Sequence, residues 1–227
     1  MFSNGRHWLF PASTVVFLLI LTLPILKPIY AHGPVSHDYK EAAQRYRLAA
    51  EEGDAEAQYN LGSMYYWGRG VLQDDKKAVQ WYQAAANQGH ILAQYNLGTM
   101  HAEKRGVEKT VQWYDSALIW LGLIWDKNDK EAVRWYQIAA NQGYAPAQHS
   151  LGIMYVEGRG ISQNYIQAHM WFDLSASQSV GKTREKTIEN KNLVAKKMTK
   201  EEVEKARQLV RTWAPSHVLE AQANTGN

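Results

Sequence analysis

The same spacing of apolar and polar positions returns three times along the chain. Ala57-Gln-Tyr-Asn-Leu61-Gly62-Ser-Met-Tyr65 is in register with Ala93-Gln-Tyr-Asn-Leu97-Gly98-Thr-Met-His101 and with Ala147-Gln-His-Ser-Leu151-Gly152-Ile-Met-Tyr155. Ala57, Leu61 and Tyr65, at i, i+4 and i+8, make one stripe of a helix. A second pattern lies between these segments: Ala78-Val-Gln-Trp81-Tyr82-Gln-Ala-Ala85-Ala-Asn-Gln-Gly89, echoed by Ala132-Val-Arg-Trp135-Tyr136-Gln-Ile-Ala139-Ala-Asn-Gln-Gly143. Its stripe of Ala78, Trp81, Tyr82 and Ala85 predicts a second helix whose rings fill the space between repeats. Leu61 and Leu97 are 36 residues apart, as are Gly53 and Gly89. Each unit therefore reads as a pair of helices, A then B. No stretch alternates with period two, so no sheet is predicted.

The punctuation agrees with the pairs. Gly53, Gly89 and Gly143 follow the B helices, where a left-handed residue ends a helix. Gly68 and Gly70 shape the A-to-B loop, and Asp54 and Asp75 are candidate N-caps. Gly62, beside Leu61, gives up about 1 kcal/mol of helix propensity relative to Ala, and close approach by a neighbouring helix is the expected compensation. Asn60 and Asn96 read as structural.

The order A-x-x-x-L-G-x-x-Y, then G-x-G-V, then A-x-x-W-Y-x-x-A-A-x-x-G resembles the Sel1-like repeat, a relative of the tetratricopeptide repeat, of the exported bacterial type. Gly68-Arg69-Gly70-Val71 and Gly158-Arg159-Gly160-Ile161 carry its loop signature, and the resemblance covers about residues 39–178. It implies an all-α fold: a right-handed α/α solenoid of helix pairs, used as a non-catalytic scaffold for a protein or peptide partner.

The middle of the chain departs from the pattern. The interval from Leu97 to Leu151 is one and a half times that from Leu61 to Leu97, half a repeat short of two. Trp113-Tyr114 followed by Ala117-Leu-Ile-Trp-Leu121-Gly122-Leu-Ile-Trp125 reads as a compressed repeat within residues 107–128. It is expected as a kink, with Thr110 to Asp126 as one fused helix that is apolar all round between Leu118 and Trp125. After a last B helix around Trp171-Phe172, residues 182–198 and 200–213 read as amphipathic helices. Thr199-Lys-Glu-Glu202 forms a capping box, Val203, Ala206, Val210 and Trp213 mark the apolar face, and Pro215 ends it. Residues 179–214 are thus expected to cover the end of the 32–178 array, with a disordered tail at 215–227.

The amino terminus belongs to another class. Arg6 and His7 precede an apolar run from Thr14 to Leu26, and Ala31 offers a small residue for cleavage. That order predicts a secretory signal peptide over residues 1–31 and a periplasmic or secreted protein. Membrane contact is expected only if the segment stays uncleaved as an anchor. Without residues 1–31 the chain carries 23 basic and 22 acidic residues, a balance that argues against nucleic acid as a partner. The exception is local: residues 182–211 hold ten Lys or Arg against five Glu.

Candidate chemistry is sparse. The absence of cysteine excludes disulfides, a thiol nucleophile and thiolate metal sites. No His spacing matches a metal site, and no cofactor is expected. Ser179-Val-Gly-Lys182 has the S-x-x-K spacing of penicillin-interacting serine enzymes, which makes a cell-wall or β-lactam-acting hydrolase the alternative reading. Some relatives of the repeat family are linked to β-lactams, but they are rich in cysteine, and no S-D-N or K-T-G partner is present here. Gly181-Lys182-Thr183 ends like a phosphate loop, but Ala176 stands where the first Gly is needed. Glu51-Glu52 and Asp74-Asp75 lie at helix ends, where carboxylates favour caps and dipoles.

A binding face is the better candidate. At about 100° per residue, Tyr59 and Ser63 point away from Leu61, with Tyr66 close by. Their equivalents are Tyr95 and Thr99, then His149 and Ile153. In the tetratricopeptide relatives this face of helix A lines the groove. Rings supply area and small polar groups fix register, which suits peptide recognition.

Overall fold

The computed structural model describes residues 37–107 and 126–213. Nine helices lie in these segments, with no strand among the described residues: α1 His37–Glu51, α2 Ala55–Trp67, α3 Asp75–Asn87, α4 Ile91–Ala102, α5 Lys127–Asn141, α6 Ala145–Glu157, α7 Tyr165–Gln178, α8 Gly181–Ala195 and α9 Lys200–Thr212. The architecture is the all-α solenoid that the periodicity predicts. α2 with α3, α4 with α5, and α6 with α7 are its A and B pairs.

One contact recurs in every pair. A Cβ on Gly62 would lie 2.8 Å from the Tyr82 ring, one on Gly98 2.8 Å from Tyr136, and one on Gly152 2.7 Å from Phe172. The rings are almost fully buried, at 1%, 5% and 1% exposure. Glycine is thus the compensation anticipated for its poor helix propensity: it lets a ring of helix B touch the backbone of helix A. Ala57, Leu61, Ala78 and Ala85 close the surrounding core. In α1, a B helix by its register, the equivalent ring is Tyr46. It is 38% exposed, and the A position that would seat it precedes residue 37.

Neighbouring pairs are joined by a buried amide ladder. Gln58 Nε2 donates to the Ala50 carbonyl (3.1 Å), Gln94 Nε2 to Ala86 (3.2 Å) and Gln148 Nε2 to Ala140 (3.2 Å). Each of these carbonyls sits in the last turn of a B helix, where it also accepts from the backbone N–H of the closing glycine, Gly53, Gly89 or Gly143. The Oε1 of each of these glutamines in turn accepts from a glutamine at the end of the following B helix: Gln58 from Gln88 and Gln94 from Gln142, both 2.7 Å, and Gln148 from Gln178 at 3.3 Å.

The A-to-B loops lock onto the pair before them. Gly70, Gly106 and Gly160 have φ of 73°, 67° and 67°. Their Cα atoms rest against the backbone of Tyr39, Asp75 and Asp129, each the same interval back along the chain, with no room for a Cβ. Beside two of them an arginine completes the lock. Arg105 grips Asp75 through Nε (3.1 Å) and Nη2 (2.8 Å), and Arg159 Nη2 meets Asp129 at 2.6 Å. This corrects one expected cap. Asp54 does cap α2, accepting from Ala57 N, but the N-cap of α3 is Asp74, which accepts from Lys77 N. Asp75 is the first helical residue, and its carboxylate turns to Arg105.

The expected compressed repeat falls largely on positions 108–125, outside the described residues. The helices on either side nevertheless pair with each other, Gly98 against Tyr136, as A and B of one ordinary repeat. Gly70 and Asp75 are close neighbours in sequence, whereas the equivalent Gly106 and Asp129 are separated by an additional half repeat. In sequence that surplus is an insertion between the paired helices α4 and α5. The signal segment 1–31 and the tail 215–227 also lie outside the described residues.

The array stops at α8 for a steric reason. α8 occupies the next A position, but Thr187 and Ile188 stand one repeat after Leu151 and Gly152. An Ile in the glycine position leaves no seat for a B-helix ring. α9 instead folds back on α7, with Leu209, Val210 and Trp213 against the core, Ala206 fully buried and the Trp213 ring edge-on to Trp171. Both halves of the Thr199–Glu202 capping box are present.

Two glycine substitutions test the two contacts. Gly98→Ala gains about 1 kcal/mol of helix propensity, yet overpacking against a buried ring costs about 1–3 kcal/mol, so urea denaturation should show net destabilisation. Gly106→Ala should be worse, because its Cβ meets backbone and not a ring that can tilt. The reverse order would refute the steric reading of the loop.

Candidate binding groove

Four of the residues expected on the A-helix face meet in one hollow. Tyr59, Ser63 and Tyr66 from α2 and Thr99 from α4 line a space of about 230 Å³, closed by Trp67, Tyr82, Asn96 and Met100. The i, i+4 spacing of Tyr59 and Ser63 puts both on the side of α2 away from Leu61, and α4 supplies the opposite wall. Tyr59 stacks on His90 with centroids 4.6 Å apart, and Tyr66 meets Trp67 edge-on at 4.8 Å.

Hydroxyl groups tie the floor together. Tyr82 donates to Ser63 Oγ (3.1 Å) and hydrogen-bonds the Asn96 side chain, which is thus structural as expected; Asn60 holds Glu56. One repeat on, Tyr136 donates to Thr99 Oγ1 (3.2 Å), and Thr99 donates to the Tyr95 carbonyl (3.1 Å). Burial pushes the phenols of Tyr82 and Tyr136 up to about 12.

The remaining expected residues are placed elsewhere. Tyr95 lies in the next interval, against Tyr136 and Tyr144. His149 faces α8: the Thr187 hydroxyl donates to the Thr183 carbonyl (2.9 Å), so His149 Nδ1 must carry the proton it gives to Thr187 Oγ1 (2.8 Å). Ile153 shares an apolar hollow of about 260 Å³ with Val156, Phe172 and Val194. In this third pair both partners of the hydroxyl contact have changed together, Ser63 to Ile153 and Tyr82 to Phe172. The polar groove is therefore a property of the first two pairs, and α8 covers the third.

Two contributors escaped the reading of periodicity. Trp67 is 61% exposed at the lip of the hollow, and its equivalents are Glu103 and Glu157, so no repeat pattern marks it. Its place one turn after Ser63 was the available signal. Arg105 donates to the Tyr66 hydroxyl (2.6 Å) and lies 4.2 Å from the centre of that ring. The parallel between Arg105-Gly106-Val107 and Arg69-Gly70-Val71 could have pointed to it.

Nothing comparable surrounds the other motifs. Ser179 is the C-cap of α7, its amide bonded to the Ser175 carbonyl, and Lys182 is exposed in the first turn of α8. Among the described residues no three His, Asp or Glu converge as metal ligands, and no helix is long and apolar enough to cross a membrane.

Helix pairs stacked in register, with an aromatic groove on their A helices, define a helical-repeat protein. Residues 29–54, 55–90, 91–144 and 145–180 each match the Sel1 repeat, about two thirds of the chain in all. The chain belongs to the Sel1 repeat family. The third match runs through the insertion as a single repeat, in agreement with the pairing of α4 and α5. A Sel1 repeat protein from Oxalobacter formigenes is similar in structure, with a TM-score of 0.50 and 29% identity over 64% of this chain and 96% of its own. A protective antigen of uropathogenic Escherichia coli strains displaying an SLR fold is 30% identical over 81% of this chain and 43% of its own, with a TM-score of 0.42. Chitin synthase regulatory factor 3 of Schizosaccharomyces pombe is 36% identical over 70 residues, which is 31% of this chain and only 7% of that protein. Sel1 repeat proteins are typically protein-interaction scaffolds.

The buried phenols of Tyr82 and Tyr136 make the fold sensitive to base. The unfolded chain loses its tyrosine protons near pH 10, while the folded chain holds those of Tyr82 and Tyr136 to about 12. Their contribution to stability is complete below pH 10 and is lost as the pH rises toward 12. Tyrosinate absorbance should show late-ionising phenols, Tyr82 and Tyr136 among them, with unfolding in the same window; ionisation of every tyrosine near pH 10 in the folded chain would contradict this.

Proposed function

We propose that this chain is a non-catalytic scaffold that binds a protein or peptide along the A-helix face of its first two pairs, and that it acts in the periplasm or outside the cell. The observation that supports the binding reading most is the groove itself. An exposed Trp67 beside Tyr59 and Tyr66 forms a rigid aromatic lip over hydroxyl and amide groups, the composition of a protein-recognition surface. Tyr95 extends the same face toward the second pair. The near balance of charge after residue 31 fits a polypeptide partner better than nucleic acid.

Replacing Tyr59 and Tyr95 together by Ala should weaken capture of the partner from the exported fraction by tenfold or more, while circular dichroism stays that of the parent. Unchanged capture by a folded double variant would overturn the assignment of the face.

Export rests on Arg6 and His7, the apolar run from Thr14 to Leu26, and Ala31. Amino-terminal sequencing of the chain recovered from the periplasm or medium should begin at His32. A chain that keeps Met1 and sediments with membranes would replace cleavage by anchoring.

A further inference from the structure

The hollow between α2, α3 and α4 has a chemical character more specific than a general peptide groove. None of its eight lining side chains is charged, so neither an acidic nor a basic sequence finds a partner ion in it. Arg105 stands next to it, but its guanidinium is already held by both oxygens of Asp75 and by the Tyr66 hydroxyl. At about 230 Å³ the space admits a small ring with its flanking carbonyls. A helix, about 10 Å across with its side chains, does not enter.

Two hydroxyls of the hollow have protons to spare. Tyr66 accepts from Arg105, so the proton of its own hydroxyl remains to be donated. Ser63 accepts from Tyr82, and its proton is likewise available. Each hydroxyl thus keeps its proton to spare while one of its lone pairs is used. The hollow offers these donors framed by the faces of Tyr59, Tyr66, Trp67 and Tyr82. A ligand that fits brings carbonyl acceptors for them and apolar rings to set against the aromatics.

We propose that this hollow binds a proline-rich segment in the extended polyproline conformation. Proline has a carbonyl and no N–H, its ring packs on aromatic faces, and the segment is ordered before it binds. A peptide of alanines offers the same carbonyls but neither the rings nor the pre-set extended conformation. The site is also set in advance, because Arg105 pins Tyr66 from the far side and Trp67 rests edge-on against it. The later pairs do not repeat it: Tyr66 and Trp67 give way to Ala102 and Glu103, then to Val156 and Glu157. This inference rests on the reading of the A-helix face as a polypeptide-binding surface.

The test uses the full chain and three labelled probes: an oligoproline peptide, the same peptide with its prolines replaced by alanine, and a cell-wall oligosaccharide. Fluorescence anisotropy should show the oligoproline bound at least tenfold more tightly than the alanine peptide. Trp67→Ala, an exposed position, should weaken oligoproline binding tenfold or more. Tyr66→Phe keeps the ring and removes the donor, and should weaken it about threefold. Equal affinity for the two peptides, preference for the oligosaccharide, or indifference to Trp67→Ala would overturn the proposal. If the oligoproline fails while partner capture still depends on Tyr59 and Tyr95, the proline assignment alone falls; if capture is indifferent to both tyrosines, the scaffold face falls with it.

Discussion

Three glycines that cannot carry a side chain set the geometry of this protein. At Gly62, Gly98 and Gly152 an aromatic ring from the following B helix lies where a Cβ would project, so each helix pair closes to ring-on-backbone distance. Any larger residue would spread the pair and misplace the next one, because each pair is the template for its neighbour. The glutamine ladder works at the other boundary. It uses no apolar area and instead ties the last-turn carbonyl of one B helix to the following A helix, so that spacing within pairs and between pairs is held by different chemistry. Ile188 shows the rule from the opposite side: where the glycine is lost, the ring-on-backbone pairing ends.

Much of this was legible in the residues. Leu61, Gly62 and the Trp81-Tyr82 pattern identify the helices, their partners and the reason for a glycine in mid-helix. What periodicity could not resolve was the middle. A span of one and a half repeats is equally one repeat with a half added or two with a half removed. Ala117 to Trp125 imitates the A-helix pattern closely enough to favour the second. The seating of Gly98 on Tyr136 joins the helices on either side as one pair, while positions 108–125 themselves lie outside the described residues. The misplaced cap at Asp75 has a similar origin: two adjacent aspartates are equivalent in one dimension, and the loop of a later repeat, through Arg105, selects which of them leaves the capping position.

The groove was partly visible in the same way. Tyr59, Ser63, Tyr66 and Thr99 come together because they share one helix face at regular spacing. Periodicity treats every repeat as equal, so it also selected His149 and Ile153, whose face α8 covers. It passed over Trp67 because the tryptophan has no counterpart. Function in a repeat array lies where the repeats differ, and the signal for it is a departure from the pattern. The paired change of Ser63 and Tyr82 to Ile153 and Phe172 is such a departure, since the loss of either hydroxyl alone would strand the other in a half-buried site.

The loop lock at Gly106 and Arg105 has a consequence for the interval between α4 and α5. It fastens the exit of α4 to the start of α3 before the insertion begins, and Asp126 starts a fresh helix after it, its side chain accepting from Asn128 N. Lys104 Nζ also meets Asp126 Oδ2 at 2.9 Å, so the residues that flank the interval hold each other directly. The passage from α4 to α5 is thus anchored at both of its ends, and the seating of Gly98 on Tyr136 is reached across an interval half a repeat longer than in the other pairs.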